Sequence, residues 1–126
     1  MNIGLIANDS KKKLMQDFCI AYKGILSKHT LFATETTGTL IEKVTNLSIQ
    51  KFLSGELGGE QQLASQIEHN DIDLVIYLKD TNTNRNSIGF TNISLLCDIY
   101  NIPIATNLAS AELVIRAIDR GFMDWK

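Results

Sequence analysis

The sequence predicts a single α/β domain built around a parallel sheet, and three observations carry that expectation. Short apolar runs alternate along the chain with segments whose apolar residues recur at helical spacing. The connections between them are short, as they are where parallel strands are joined by crossover helices. A chain of 126 residues with 44% hydrophobic content is also large enough for one self-sufficient core without disulfide or metal staples. No internal repeat, low-complexity tract or linker divides it, so residues 1–126 are read as one domain.

The first run, Ile3 to Ala7, reads as a strand buried on both faces. Asn8-Asp9-Ser10 then offers helix-capping chemistry, and Leu14, Phe18, Ala21, Tyr22 and Ile25 follow at helical spacing. A short strand is expected at Thr30 to Ala33, a polar turn at Thr34 to Gly38, and a helical face at Leu40, Ile41 and Val44. The glycine-rich stretch Ser54 to Gly59 leads into a helix over about Glu60 to Asn70, with Leu63, Ala64 and Ile67 facing inward. Asp73 to Leu78 is the clearest strand. A polar loop from Asp80 to Gly89 precedes a helix over about Thr91 to Tyr100. The segment Asn101 to Asn107, with the only proline at 103, reads as a short strand with a polar end. A last helix is expected over about Ser110 to Arg120.

Composition excludes several classes of partner. With a formal net charge of -2 and 7% aromatic residues, the chain has neither a globally basic surface nor stacking platforms, so nucleic acid is not an expected partner. No stretch approaches ~18 apolar residues without a charge, so no membrane span is expected. Met1 to Ala7 is too short, with the wrong flanks, for a signal peptide, and a cytoplasmic location is the default expectation. Cys19 and Cys97 lie far apart inside apolar-periodic segments, with no CxxC or Cys/His cluster. They read as small buried thiols rather than zinc ligands, and no metal site is expected. His29 and His69 fall near expected helix ends, where a partly charged imidazole is favourable, and neither is assigned a catalytic role.

In open parallel sheets the ligand site lies beyond the carboxyl ends of the strands. Four polar segments directly follow apolar strands: Asn8-Asp9, Thr34 to Gly38, the stretch from Asp80, and Thr106-Asn107. All four are expected to converge on one edge. Thr34, Thr36, Thr37 and Gly38 combine hydroxyls with backbone N–H groups at a strand-to-helix turn, which makes an anion cradle or simply a helix cap. Ser54-Gly55 and Gly58-Gly59 let the backbone approach a ligand closely, or form a tight connecting turn; neither GxGxxG nor a P-loop is present. Lys11-Lys12-Lys13 beside Asp9 reads as a solvated charged face, or as cations whose position near a helix start a bound anion would favour. The carboxylates Asp9, Glu60 and Asp80 sit at expected strand ends or helix starts. A carboxylate beside a phosphate cradle can take a proton from carbon next to a carbonyl; acids at a helix start also simply complement its dipole.

Together these segments resemble the methylglyoxal synthase family over nearly the whole chain. The resemblance is carried by Ile6-Ala7-Asn8-Asp9 with Lys12, by ATETTG at Ala33 to Gly38, and by Leu53-Ser54-Gly55 followed by Gly58-Gly59-Glu60-Gln61-Gln62. Asp73 through Asp80 and NIPIATN at Asn101 to Asn107 complete it. It implies a three-layer α/β fold with a five-stranded, mostly parallel sheet, usually assembled as a homohexamer. It implies conversion of dihydroxyacetone phosphate to methylglyoxal and inorganic phosphate through an ene-diolate, with no metal or organic cofactor. The implied partners are therefore a small phosphorylated metabolite and inorganic phosphate. Carried over by position, Lys12, Thr34, Thr36, Thr37, Ser54 and Gly55 hold the phosphate, with Asn8 beside them. Asp9 and Asp80 match carboxylates of the family site, and Glu60 falls where the family has its aspartate base. Asn8 stands where the family has a histidine. The loop after Asp80 lacks the histidine that serves the family as electrophile, and offers Asn84, Arg85 and Asn86 as hydrogen-bond donors instead.

Two readings of different class follow: a phosphate-eliminating lyase, and a phosphate-ester binding or sensing module of the same fold with weakened catalysis. An enzyme of another specificity is a third. A Glu60 carboxylate facing the phosphate cradle favours the lyase; a Glu60 turned away into a salt bridge favours the binding module.

Overall fold

Apolar runs too short for helices become strands, and the amphipathic segments between them become the helices that cover those strands. The computed structural model describes residues 1–81 and 88–123. The elements are β1 (Asn2–Ala7), α1 (Lys12–Ala21), α2 (Lys23–Leu26), β2 (Thr30–Thr34), α3 (Glu35–Thr45), β3 (Ile49–Phe52) and α4 (Gly59–Glu68). They continue with β4 (Leu74–Leu78), α5 (Ile88–Ile99), β5 (Ile104–Ala105) and α6 (Leu108–Asp119). Single 3₁₀ turns at Asp9–Lys11 and Gly55–Leu57 lead towards α1 and α4. The strands form one sheet in the order β3-β2-β1-β4-β5, and every neighbouring pair is parallel.

Strand β1 is central, with Gly4 opposite Phe32 of β2 and Val75 of β4. Its alternate side chains enter two separate cores. Leu5, with Ile76 and Leu78 of β4, packs against Phe18 of α1, Ile41 of α3 and Ile115 of α6. Ile6, with Val75 and Tyr77, packs against Leu63 and Ile67 of α4 and Ile93 of α5. The result is the expected three-layer α/β arrangement. Cys19 and Cys97 are buried, one in each core, and burial pushes both thiols up to about 12. Among the described residues, no helix is long and apolar enough to cross a membrane.

Three local expectations are corrected. Strand β3 was not foreseen in the residue pattern, because Lys51 stands where alternation calls for an apolar side chain; its ammonium pairs with Glu42 of α3. A lysine of this kind suits an edge strand. Asn8 makes no side-chain capping bond, and the intervening 3₁₀ turn shifts the phase of α1. Met15 and Cys19 therefore join Phe18 in the core, while Ala21 is exposed. In α3, Val44 faces solvent and Thr45 is buried. Its hydroxyl is satisfied locally, donating to Ile41 O at 2.7 Å and accepting from Leu47 N at 3.1 Å.

His29 follows α2, where its surroundings disfavour the partial charge expected at a helix end. Its Nδ1 lies 3.0 Å from the Met1 amino group. Partial burial and then that ammonium hold its pKa below the ordinary imidazole value. His69 Nδ1 lies 2.6 Å from Ser65 O within α4's last turn.

The connection into α4 is tight. A Cβ at Gly59 would stand 1.9 Å from Leu53 O, so any side chain there forces the backbone apart. Gly59→Ala is expected to lower stability by about 1–3 kcal/mol, read as a drop in the urea midpoint. Gly24→Ala in α2, where an added Cβ meets nothing within 4 Å, is expected to leave the midpoint unchanged or raise stability by up to about 1 kcal/mol.

Candidate functional site

Strand order decides where a ligand can enter. From β1 the chain goes by α1 to β2 on one side, and the sheet continues on the other side with β4. Helix α1 covers one face and α5 the other, so the ends of β1 and β4 open a crevice between diverging chains. A cavity of about 510 Å³ lies there, within the range of small-ligand sites.

The end of β1 supplies Ile6, Ala7 and Asn8 to the wall, and the turn after it supplies Asp9 and Lys12. The Lys12 ammonium donates to Ala7 O at 2.8 Å and pairs with Asp9 Oδ1 at 2.9 Å. An ammonium has three donors, so the arrangement leaves one for a ligand. The Lys12 side chain is 17% exposed and that of Asp9 fully exposed, so the pair steers the lysine more than it stabilises the fold. Lys12 is the one cation on the described cavity wall.

Thr34 ends β2, and Thr36 lies in the first turn of α3; both line the cavity. Thr34 makes no side-chain cap to α3. Its hydroxyl donates instead to Thr37 Oγ1 at 3.4 Å. The first backbone N–H groups of α3 are the kind a helix leaves for an anion. Ser54 and Gly55 form the opposite lip, where Ser54 O accepts from Leu57 N at 3.0 Å and Gly59 N at 2.9 Å. Those bonds fold the glycine-rich stretch into a turn and start α4, which delivers Glu60 to the cavity.

Glu60 is not drawn into any ion pair described in this structure. Its Oε1 accepts a short hydrogen bond from the Tyr77 hydroxyl, and its carboxylate rests against the backbone of Gly89 in α5, where a Cβ would stand 2.8 Å from Oε2. Tyr77 lines the cavity as well and was not anticipated. In the run Leu-Val-Ile-Tyr-Leu it reads as core, and its ring is indeed 1% exposed. The available signal was chemical: a buried phenol needs a hydrogen-bond partner.

Two candidates are not on the described cavity wall. Thr37 is buried under Thr34. Asp80 is joined to β1 by its backbone N–H, which donates to Asn8 Oδ1 at 2.7 Å, while Asn8 N donates to Leu78 O at 3.0 Å. Thr106-Asn107 does not join the other strand ends on the wall; Asn107 caps α6 instead, its Oδ1 accepting from Ser110 N at 2.9 Å. Asn84, Arg85 and Asn86 lie outside the described residues. Among the described residues, no group of three or more His, Cys, Asp or Glu side chains is placed to hold a metal ion.

The MGS-like domain profile matches residues 15–106. A methylglyoxal synthase of Caldicellulosiruptor saccharolyticus is 56% identical over the whole chain, covering 90% of that protein. The chain belongs to the methylglyoxal synthase family. A methylglyoxal synthase of Listeria welshimeri is 49% identical, again over the whole chain and 95% of the relative. The crystal structure of methylglyoxal synthase from Elizabethkingia anophelis superposes with a TM-score of 0.83 at 35% identity, covering 90% of this chain and 76% of that one. The three-layer fold is thus shared with a solved member of the methylglyoxal synthase family.

Asn8 links the two strands that frame the crevice. Asn8→Ala is expected to cost about 1 kcal/mol. It should also speed hydrogen exchange at the Asp80 amide by roughly fivefold, with exchange at Ile76 in the middle of β4 changed less.

Proposed function

We propose that this chain is a methylglyoxal synthase, a lyase that converts dihydroxyacetone phosphate to methylglyoxal and inorganic phosphate. One observation carries the reading: the Glu60 carboxylate opens onto the same cavity as the Lys12 ammonium and the hydroxyls of Thr34, Thr36 and Ser54. A base and a phosphate cradle then face one small substrate.

Glu60 takes a proton from the hydroxyl-bearing carbon, which the adjacent carbonyl acidifies. The C–H electron pair becomes the carbon–carbon double bond of an ene-diolate, and the negative charge moves to the former carbonyl oxygen. The former carbonyl oxygen then takes a proton and the terminal hydroxyl gives one up. The freed O–H pair forms the aldehyde carbonyl, the carbon–carbon double bond shifts towards the ester-bearing carbon, and the bond from that carbon to the phosphate ester oxygen breaks. Phosphate leaves with that electron pair, and the remaining enol tautomerises to methylglyoxal. The carbonyl is itself the electron sink, so the chemistry calls for no metal or organic cofactor.

Lys12, with the Thr34, Thr36 and Ser54 hydroxyls and the Gly55 backbone, holds the phosphate and meets the charge that grows on it as it leaves. Asp9 steers the lysine. Thr37 fixes the Thr34 hydroxyl from beneath. Asn8 and Asp80 tie the floor of the crevice together. Assembly as a homohexamer and a cytoplasmic location accompany this reading, as they do in the family it resembles.

The test is release of methylglyoxal and phosphate in equal amounts from dihydroxyacetone phosphate. Glu60→Gln keeps the shape and removes the base; turnover is expected to fall by about 10³-fold, with inorganic phosphate still bound. Lys12→Met removes a charge-assisted contact and is expected to weaken phosphate binding by about 10- to 100-fold. Phosphate binding without any turnover in the parent protein would instead assign the chain to the binding modules.

A further inference from the structure

We infer that Tyr77 is the positioning residue for the Glu60 carboxylate, and that its hydroxyl and the bare backbone of Gly89 together set where that carboxylate meets the substrate. The inference rests on Glu60 acting as the base. A glutamate reaches its carboxylate through three rotatable bonds, and a free one samples many positions. A base must be held to about 0.5 Å, and a displacement of about 1 Å can cost ~100-fold. The site therefore needs something that selects one position.

Tyr77 is built to do this. It sits opposite Ile6 in the β1–β4 register, its ring is 1% exposed, and Phe90 meets it edge-on at 5.0 Å and 75°. The Lys79 ammonium lies 4.4 Å over the other ring, closing that contact from outside. A ring packed so completely leaves its hydroxyl one place to be, and that hydroxyl donates to Glu60 Oε1. On the other side the carboxylate lies against α5. A Cβ at residue 89 would stand 2.8 Å from Oε2, closer than Cβ atoms come to a neighbour, and 3.0 Å from Oε1. The carboxylate is thus held between a fixed donor and a backbone with no side chain. An aspartate at 60 would draw it back by about 1.5 Å, beyond hydrogen-bond range of the phenol.

The experiment is a double-mutant cycle between Tyr77→Phe and Glu60→Asp, read as kcat and KM for dihydroxyacetone phosphate. Exchange of the substrate's carbon-bound hydrogen with solvent deuterium is followed alongside by NMR. Tyr77→Phe keeps the ring and its packing. With Glu60 present it is expected to lower kcat and deuterium exchange together by about 10- to 100-fold, with KM moving less than about threefold. In the Glu60→Asp background the same substitution should cost no more than about a third of that factor, since the phenol has lost the carboxylate it holds. Gly89→Ala should repeat this dependence on Glu60, the methyl group displacing the longer carboxylate only. A Tyr77→Phe variant with full kcat overturns the inference and leaves the lyase standing. Equal losses in both backgrounds overturn it too, because they assign the phenol a role independent of Glu60. A parent protein with neither turnover nor exchange overturns the lyase reading itself, and the role of Tyr77 as a base-positioning residue with it.

Discussion

Parallel pairing of β1 with β4 sets their carboxyl ends side by side, while the helices that cover them lie on opposite faces of the sheet. Every other feature of the site depends on that geometry. It opens the crevice, brings the Lys12 turn and the Tyr77 ring to one cavity, and lets a single asparagine bridge the two strands. It also demands that both strands be buried on two faces, which is why β4 has no polar side chain other than the phenol that reaches the cavity.

The chemistry of the wall is economical. One ammonium, three aliphatic hydroxyls, the Tyr77 phenol and the N-terminal end of α3 face two carboxylates of different standing. Asp9 is fully exposed and spends its charge on Lys12. Glu60 is partly buried and hydrogen-bonded by a neutral donor. The difference follows from local structure. Asp9 lies in a 3₁₀ turn open to water, whereas Glu60 leaves the first turn of α4 to meet the Tyr77 hydroxyl and the Gly89 backbone. Two acids of the same sign thus take different parts, one organising a cation and the other held by a neutral donor on the cavity wall.

Much of this was legible in the residues. The fully apolar runs gave β1 and β4, and the strand-end rule picked out Asn8, Asp9, Thr34 and Thr36, which do line the cavity. Ser54 and Gly55 stood out as a glycine-rich turn and Glu60 as an acid at a helix start, and motif resemblance supplied their roles. What escaped has physical causes. Strand β3 hides because the partner of Lys51 is Glu42, on the preceding helix, so a charge sits where a strand pattern expects none. Tyr77 hides because burial of its ring and hydrogen bonding of its hydroxyl are separate facts, and only the first is written in an apolar run. Thr106-Asn107 obeys the strand-end rule yet serves α6 locally, since β5 lies at the sheet edge and away from the crevice.

The two buried thiols have a chemical consequence for a protein that releases methylglyoxal. A 2-oxoaldehyde is an electrophile, and thiolates are among the fastest nucleophiles it meets in a protein. Burial pushes both thiols up to about 12 and so favours their protonated, less nucleophilic form, and neither residue lies on the wall of the cavity described above. Placing its cysteines in the two cores keeps both thiols off the wall of the cavity from which that compound would leave.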